Sequence, residues 1–352
     1  MTTDMRSDDM MMLVSAQKFI KRLRTRRAPR RQMNDLPDEL IAKILAASDH
    51  ASRAAAMFVS KSMFRVAEGF DDLWTDAEFK RYDETLPGFF RRHRVRNLTL
   101  TCSPPEAVKI LNACRPGDVE TLSARFRFAD EIPPALSPAI SRAGSNLKRL
   151  ELRIDEAGSD STFVVPWLPS LTDISIVEKS RVRCIDVSFY KWEYPNLERV
   201  EICAKSCGFA SRAARCSRLR DARLRLTYPD HRVANFGGLS MDRLEIDADE
   251  SFDACARELV LFVEGYGSFR HPFDADNLTF AFASNDCCLD LHDDVIRAAK
   301  RVTIAPGIRY TPFVAWHVNV ENSSLEAARD KIRVADSRVT LNFINVQFKC
   351  EP

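Results

Sequence analysis

Leu147-Lys148-Arg149-Leu150-Glu151-Leu152 decides how most of this chain reads. Its last four residues alternate polar and apolar, as the two sides of a β-strand do. In that reading Leu150 and Leu152 face a core while Arg149 and Glu151 face outward. The same six-residue pattern returns as Leu171-Thr172-Asp173-Ile174-Ser175-Ile176, Leu197-Glu198-Arg199-Val200-Glu201-Ile202 and Met241-Asp242-Arg243-Leu244-Glu245-Ile246. Weaker copies centre on Leu98, Leu122, Ala222, Leu259, Leu278, Val302, Val318 and Val339. One such strand cannot bury its apolar edge alone, whereas a row of parallel strands can. The expected class is α/β: a short N-terminal helical unit, then an irregular solenoid whose strands form a parallel sheet. Helical segments in the outer layer are expected at 105–114, 134–142, 293–300 and 324–332.

The register also predicts an exposed face. Third positions of five successive strands read Arg149, Asp173, Arg199, Asp221 and Arg243; fifth positions read Glu151, Ser175, Glu201, Arg223 and Glu245. One reading is a ladder of exposed ion pairs that satisfies itself. The other is a docking face for a protein target, with Arg149, Glu151, Arg199, Glu201, Arg223, Arg225 and Arg243 as candidate contacts. A basic cluster, Arg212, Arg215, Arg218, Arg220, Arg223 and Arg225, interrupts the neutrality, and only Arg223 and Arg225 belong to the face.

Ahead of the repeats, the chain changes character. Residues 1–33 hold nine basic residues against three acidic ones, a charge of +6 that leaves −4 for the remainder of a chain whose net charge is +2. The basic run from Lys18 to Arg31 reads as a solvated, disordered tail or as a nuclear import signal, placing the protein in the cytoplasm, the nucleus or both. A slightly acidic body argues against nucleic acid as a partner. No apolar run approaches the roughly 18 residues of a membrane span. Ten cysteines in 352 residues, with no secretory pattern, fit a reducing compartment.

Between tail and repeats, Asn34-Asp35-Leu36-Pro37-Asp38-Glu39-Leu40 begins a helix, and a second apolar set from Ala55 to Ala67 supplies further helices up to Leu73-Trp74. Leu36-Pro37-Asp38-Glu39-Leu40, Ile44-Leu45, Val59-Ser60-Lys61 and Leu73-Trp74, in this order and spacing, resemble an F-box. This is the helical motif that docks on the Skp adaptor of SCF-type cullin-RING ubiquitin ligases. The resemblance implies that Leu36, Pro37, Leu40, Ile44, Leu45 and Val59 contact the adaptor. Two stretches depart from the family pattern: Ala46-Ala47-Ser48 ends the first helix, and Arg53-Ala54-Ala55-Ala56 stands where leucines are usual. The repeat half is similar to leucine-rich-repeat proteins, without their steady Asn or Cys after each strand.

Three segments are thus expected: a basic tail at 1–33, an F-box-like unit at 34–80 and a leucine-rich-repeat-like solenoid at 81–352. What the resemblance implies is the substrate-recognition subunit of an SCF-type ligase, a non-enzyme that holds a protein target while partner subunits transfer ubiquitin. The alternative is an interaction scaffold whose degenerate F-box does not engage the ubiquitin system. His50, His93, His231, His271, His292 and His317 are scattered, and no nucleotide, zinc-protease or nucleophile-elbow motif occurs. No cofactor and no metal are expected.

Overall fold

The computed structural model describes residues 36–48, 50–56, 59–129, 131–158, 160–180, 184–190, 194–209, 215–226, 235–247, 253–263, 266–269, 273–282, 288–306, 316–321, 331–334 and 339–344. The expected basic tail, most of the expected helix at 324–332, and Arg212 of the basic cluster lie outside them. The chain divides into two compact units after Leu73.

The first unit is helical. Helix α1 (Asp38–Ala46) follows Pro37, whose missing N–H costs nothing at a helix start, and Asp38 and Glu39 complement the positive end of its dipole. Helices α2 (His50–Ala56) and α3 (Lys61–Gly69) complete the unit, and all three pack on one another. Ser60 caps α3 by accepting the Met63 N–H at 3.1 Å, and Arg65 pairs with Asp38 at 2.9 Å, tying α3 to α1.

From Trp74 onward the unit is α/β, built on a large parallel sheet. Twelve strands among the described residues stand in this order: β1 (Asp76–Phe79), β2 (Asn97–Leu100), β3 (Thr121–Ala129), β4 (Arg149–Ala157), β6 (Asp173–Glu178), β8 (Arg199–Ala204), β10 (Asp221–Leu226), β11 (Asn235–Asp247), β12 (Asp253–Val263), β14 (Asp274–Phe282), β16 (Arg301–Pro306) and β18 (Ile332–Val334). Between them the chain visits a second layer. There, β5 (Ser161–Val165), β7 (Ile185–Phe189) and β9 (Ser206–Cys207) form one small parallel sheet. The strands β13 (Tyr266–Phe269), β15 (Cys288–His292), β17 (Trp316–Glu321) and β19 (Val339–Ile344) form another. In the first coils helices stand between the strands instead: α4 (Leu86–Arg92), α5 (Pro104–Ala113) and α6 (Leu136–Ala143), with a short α7 (Asp293–Ala298) further on.

The pairing aligns the repeats position for position. Ala77, Leu98, Leu122, Leu150, Ile174, Val200, Ala222, Leu244, Leu259, Leu278, Val302 and Ile332 are lateral neighbours across the whole sheet. All but the half-buried Ile332 are buried, within one continuous core. Each large side chain in that row contributes about 1.5–3 kcal/mol on leaving water. Helix α5 shows the local logic. Pro104 and Pro105 open it, and the Ser103 hydroxyl and N–H donate to the Glu106 carboxylate at 2.9 and 3.3 Å, a reciprocal cap written in the sequence as Ser-Pro-Pro-Glu. Gly117, in the turn that follows, has φ +77°, and a Cβ there would lie 2.8 Å from the Ser145 hydroxyl.

Three expectations need correction. The boundary falls at 73/74 rather than at 80/81, because residues 76–79 form the first strand of the large sheet, a copy too short and polar to stand out as Asp-Ala-Glu-Phe. Val318 and Val339 do not extend the large sheet. They lie in β17 and β19 of the second layer, while the large sheet passes from Val302 to Ile332. The irregular late spacing thus mixed two layers. Finally, the outer layer is helical only in part. The expected 105–114, 134–142 and 293–300 appear as α5, α6 and α7, whereas the middle coils use short strands whose β-branched runs, such as Thr162-Phe163-Val164-Val165, favour extension.

Candidate functional site

In the helical unit, Ile41, Ala42, Leu45, Met63, Val66, Ala67 and Leu73 are the buried apolar residues among those described. Helical spacing places Leu40 and Ile44 one turn apart on another face of α1, each nearly half exposed. Val59 is exposed at 60%, and Phe64 and Phe70 add two exposed rings. Pro37 is exposed and Leu36 half-buried. Of the six expected adaptor contacts, Leu45 stands apart: it belongs to the unit's own interior, so it is not part of the exposed set. Phe64 was not expected there and is signalled by its place beside Met63 on α3.

The stretch Arg53-Ala54-Ala55-Ala56 has a structural answer. Arg53 is buried and its guanidinium donates to the carbonyl oxygen of Leu73, joining α2 to the end of the unit. A cation that spans the interior replaces the apolar fill that a leucine would give.

On the second unit, the polar face of the large sheet carries the expected alternation. Arg149, Asp173, Arg199, Asp221, Arg243 and Glu258 are lateral neighbours on consecutive strands. Arg199 pairs with Asp173, and Arg243 reaches Glu258 at 3.7 Å. Burial alone would raise the Asp173 carboxyl. Hydrogen bonds from Arg199 and Thr172, with the charges of Arg199 and Arg149, outweigh it and hold the group below the usual carboxylate range. One position earlier runs a second ladder that the sequence reading missed: Arg96, Glu120, Lys148, Thr172, Glu198, Arg220 and Asp242, joined by backbone bonds from coil to coil. Glu120 sits between Lys148 at 2.9 Å and Arg96 at 3.7 Å, and the Lys148 hydrogen bond holds its carboxyl low.

Further along the face, Glu245 is buried and gathers three guanidinium groups: Arg243, Arg225 at 3.4 Å and Arg223 at 3.8 Å. Arg225 also lies 4.4 Å over the Phe262 ring. Of the expected basic cluster, Arg215, Arg218 and Arg220 are exposed off this face, and Arg218 donates to Asn196 at 3.0 Å.

Five of the seven expected target contacts, Arg149, Glu151, Arg199, Glu201 and Arg223, line one shallow groove of about 240 Å³. Ser175, Asp173 and Asp221 line it as well, with the apolar Leu150, Ile174 and Val200. Arg225 and Arg243 lie outside the groove, held on Glu245.

Other polar residues hold the coils together. The amides of Asn146 and Asn196, each just before a repeat, donate to the Gly117 and Pro169 carbonyls of the preceding coil at 3.1 and 2.9 Å. Glu178, at the end of β6, takes the part usually given to an asparagine: its carboxylate accepts the N–H groups of Cys184 and Ile185. The signal was present as Asn-Leu in two repeats, but it precedes the strand rather than following it.

Burial pushes the thiols of Cys102, Cys114 and Cys207 up to about 12. Native protein treated with a maleimide at pH 7.5 is therefore expected to leave these three unmodified by mass spectrometry, whereas denatured protein labels them all. Among the described residues no cluster of three His, Cys, Asp or Glu is placed to hold a metal ion, and no helix is long and apolar enough to cross a membrane. No known family model matches the chain, and a search of curated proteins found none that does.

Proposed function

We propose that the chain is the substrate-recognition subunit of an SCF-type cullin-RING ubiquitin ligase. The helical unit acts as an F-box on the Skp adaptor, and the repeat region, a leucine-rich-repeat-like solenoid, holds a protein target on the charged face of its large sheet. The chain performs no chemistry of its own. It raises the effective concentration of a target lysine near the conjugating enzyme carried by the cullin complex, in the cytoplasm or the nucleus.

One observation carries this reading: the helical unit buries Ile41, Leu45, Met63 and Val66 and still exposes Leu40, Ile44, Val59 and Phe64. Several large exposed apolar side chains in so small a unit favour a protein contact over solvent. The second reading, a scaffold with a degenerate F-box, is favoured by Arg53, which stands where the family pattern has an apolar residue.

The test is binding of the purified full chain to the Skp adaptor. Leu40→Asp combined with Ile44→Asp, both at exposed positions, is expected to weaken binding at least about 30-fold, the scale of two interfacial anchors, with unchanged circular dichroism. Folded wild-type protein that does not bind the adaptor would establish the scaffold reading instead.

A further inference from the structure

Seven charged residues line the groove over Ser175, and five of them are engaged within the face: Asp173 with Arg199, Glu151 with Arg153, and Asp221 with Arg223. Two are not in an ion pair among the described residues. Arg149 is exposed at one side, and Glu201, also exposed, accepts only the Ser175 hydroxyl, at 2.8 Å. They stand two strands apart, on β4 and β8, and one side-chain position apart along the strands. That offset amounts to about 10–12 Å.

A face whose other charges pair in contact has no long-range preference for either sign, so its selectivity rests on Glu201 and on Arg149, whose charge acts on Asp173 without a contact ion pair. We propose that this groove recognises an extended segment of the target protein bearing one carboxylate and one cationic side chain. The carboxylate meets the Arg149 guanidinium and the cation meets Glu201, with small side chains between them over Ser175. An extended chain advances about 3.3 Å per residue and turns alternate side chains to opposite faces, so two charges that both face the groove stand four residues apart. The guanidinium fork suits a carboxylate, and the Ser175 hydroxyl already orients Glu201 toward the groove. A uniformly acidic or uniformly basic segment would meet one complementary and one opposing charge. This inference rests on the reading of the sheet face as the target site, and not on adaptor binding by the helical unit.

The experiment is to pan a phage-displayed library of random dodecapeptides against the full chain and to measure the enriched peptides by interferometry at 50 mM salt. Expected are peptides with an acidic and a basic residue four apart, whose affinity falls at least fivefold with Arg149→Gln and with Glu201→Gln. The double reversal Arg149→Glu with Glu201→Arg is expected to prefer the same peptides with the two charges exchanged. A library without such pairs, or peptides that bind wild type and both single variants equally, overturns the proposal. Peptides lost on Arg243→Gln but not on Arg149→Gln leave the docking face standing and remove the groove from it. Peptides indifferent to every substitution on the face count against the face itself.

Discussion

Glu178→Ala is expected to lower the stability of the repeat unit by about 3–5 kcal/mol, read as a lower urea midpoint at unchanged slope. Glu178 is 1% exposed. Its two oxygens accept the Cys184 N–H at 2.9 and 3.0 Å, the Ile185 N–H at 3.0 Å and the Ser180 hydroxyl at 2.5 Å. The Cys184 and Ile185 N–H groups among these donors stand at the start of the strand β7 (Ile185–Phe189). Truncation takes a buried acceptor away from two backbone N–H groups and a hydroxyl, a loss of about 1–3 kcal/mol for each buried hydrogen bond that is not replaced, with some relief from water entering. Glu178→Gln retains one acceptor oxygen but turns an NH₂ toward groups that only donate, so an intermediate loss is expected. A midpoint shift worth less than about 0.5 kcal/mol in the Ala variant would mean that the turn satisfies itself in another way. The adaptor binding proposed for the helical unit is expected to be untouched.

The contrast between Leu150 and Glu178 shows what was legible. Leu150, Ile174, Val200 and Leu244 repeat an alternation that any strand buried on one face must show, so the parallel sheet and its register followed from periodicity. Glu178 carries no such signal. A glutamate at a strand end is ordinary until the loop folds back on it. Short strands such as Ile185–Phe189 were hidden for a related reason: they are five residues long and fall between copies of the main repeat, so spacing alone cannot separate them from the main row. Val318 entered the wrong layer because both layers demand the same apolar alternation. The candidate site divides in the same way. Arg149, Glu151, Arg199, Glu201 and Arg223 were found together because register fixes lateral neighbours. The three-arginine grip on Glu245 was not found, since it depends on side chains reaching along the strands as well as across them. In the helical unit, Leu45 and Ile44 are adjacent in sequence, and only the packing of α1 against its neighbours decides which one faces inward.

Asp173→Lys is expected to cost about 2–3 kcal/mol at pH 7 and low salt, the second-largest effect expected here. Asp173 stands between Arg149 and Arg199, one strand away on either side, at about 4.8 Å between strands. The substitution removes the Arg199 ion pair and the acceptor of the Thr172 hydroxyl at 2.7 Å, and it sets three cations in a row. Asp173→Asn loses the ion pair without adding repulsion, so a cost of about 1 kcal/mol is expected. Salt separates the two contributions: 0.5 M sodium chloride shortens the screening length to about 4 Å and should recover more of the Lys variant's loss than of the Asn variant's. The pH dependence has a definite sign. Because the folded protein holds the Asp173 carboxyl below its ordinary value, its contribution is fully present above about pH 4 and disappears as pH falls through the lowered folded value. The gap between wild type and Asp173→Asn should therefore close in acid, while the Lys variant, positive at every pH, keeps its repulsive term. A gap that stays constant down to pH 2 would show that Asp173 acts through packing alone. In that case the alternating ladder would be a consequence of the register rather than one of the forces that select it.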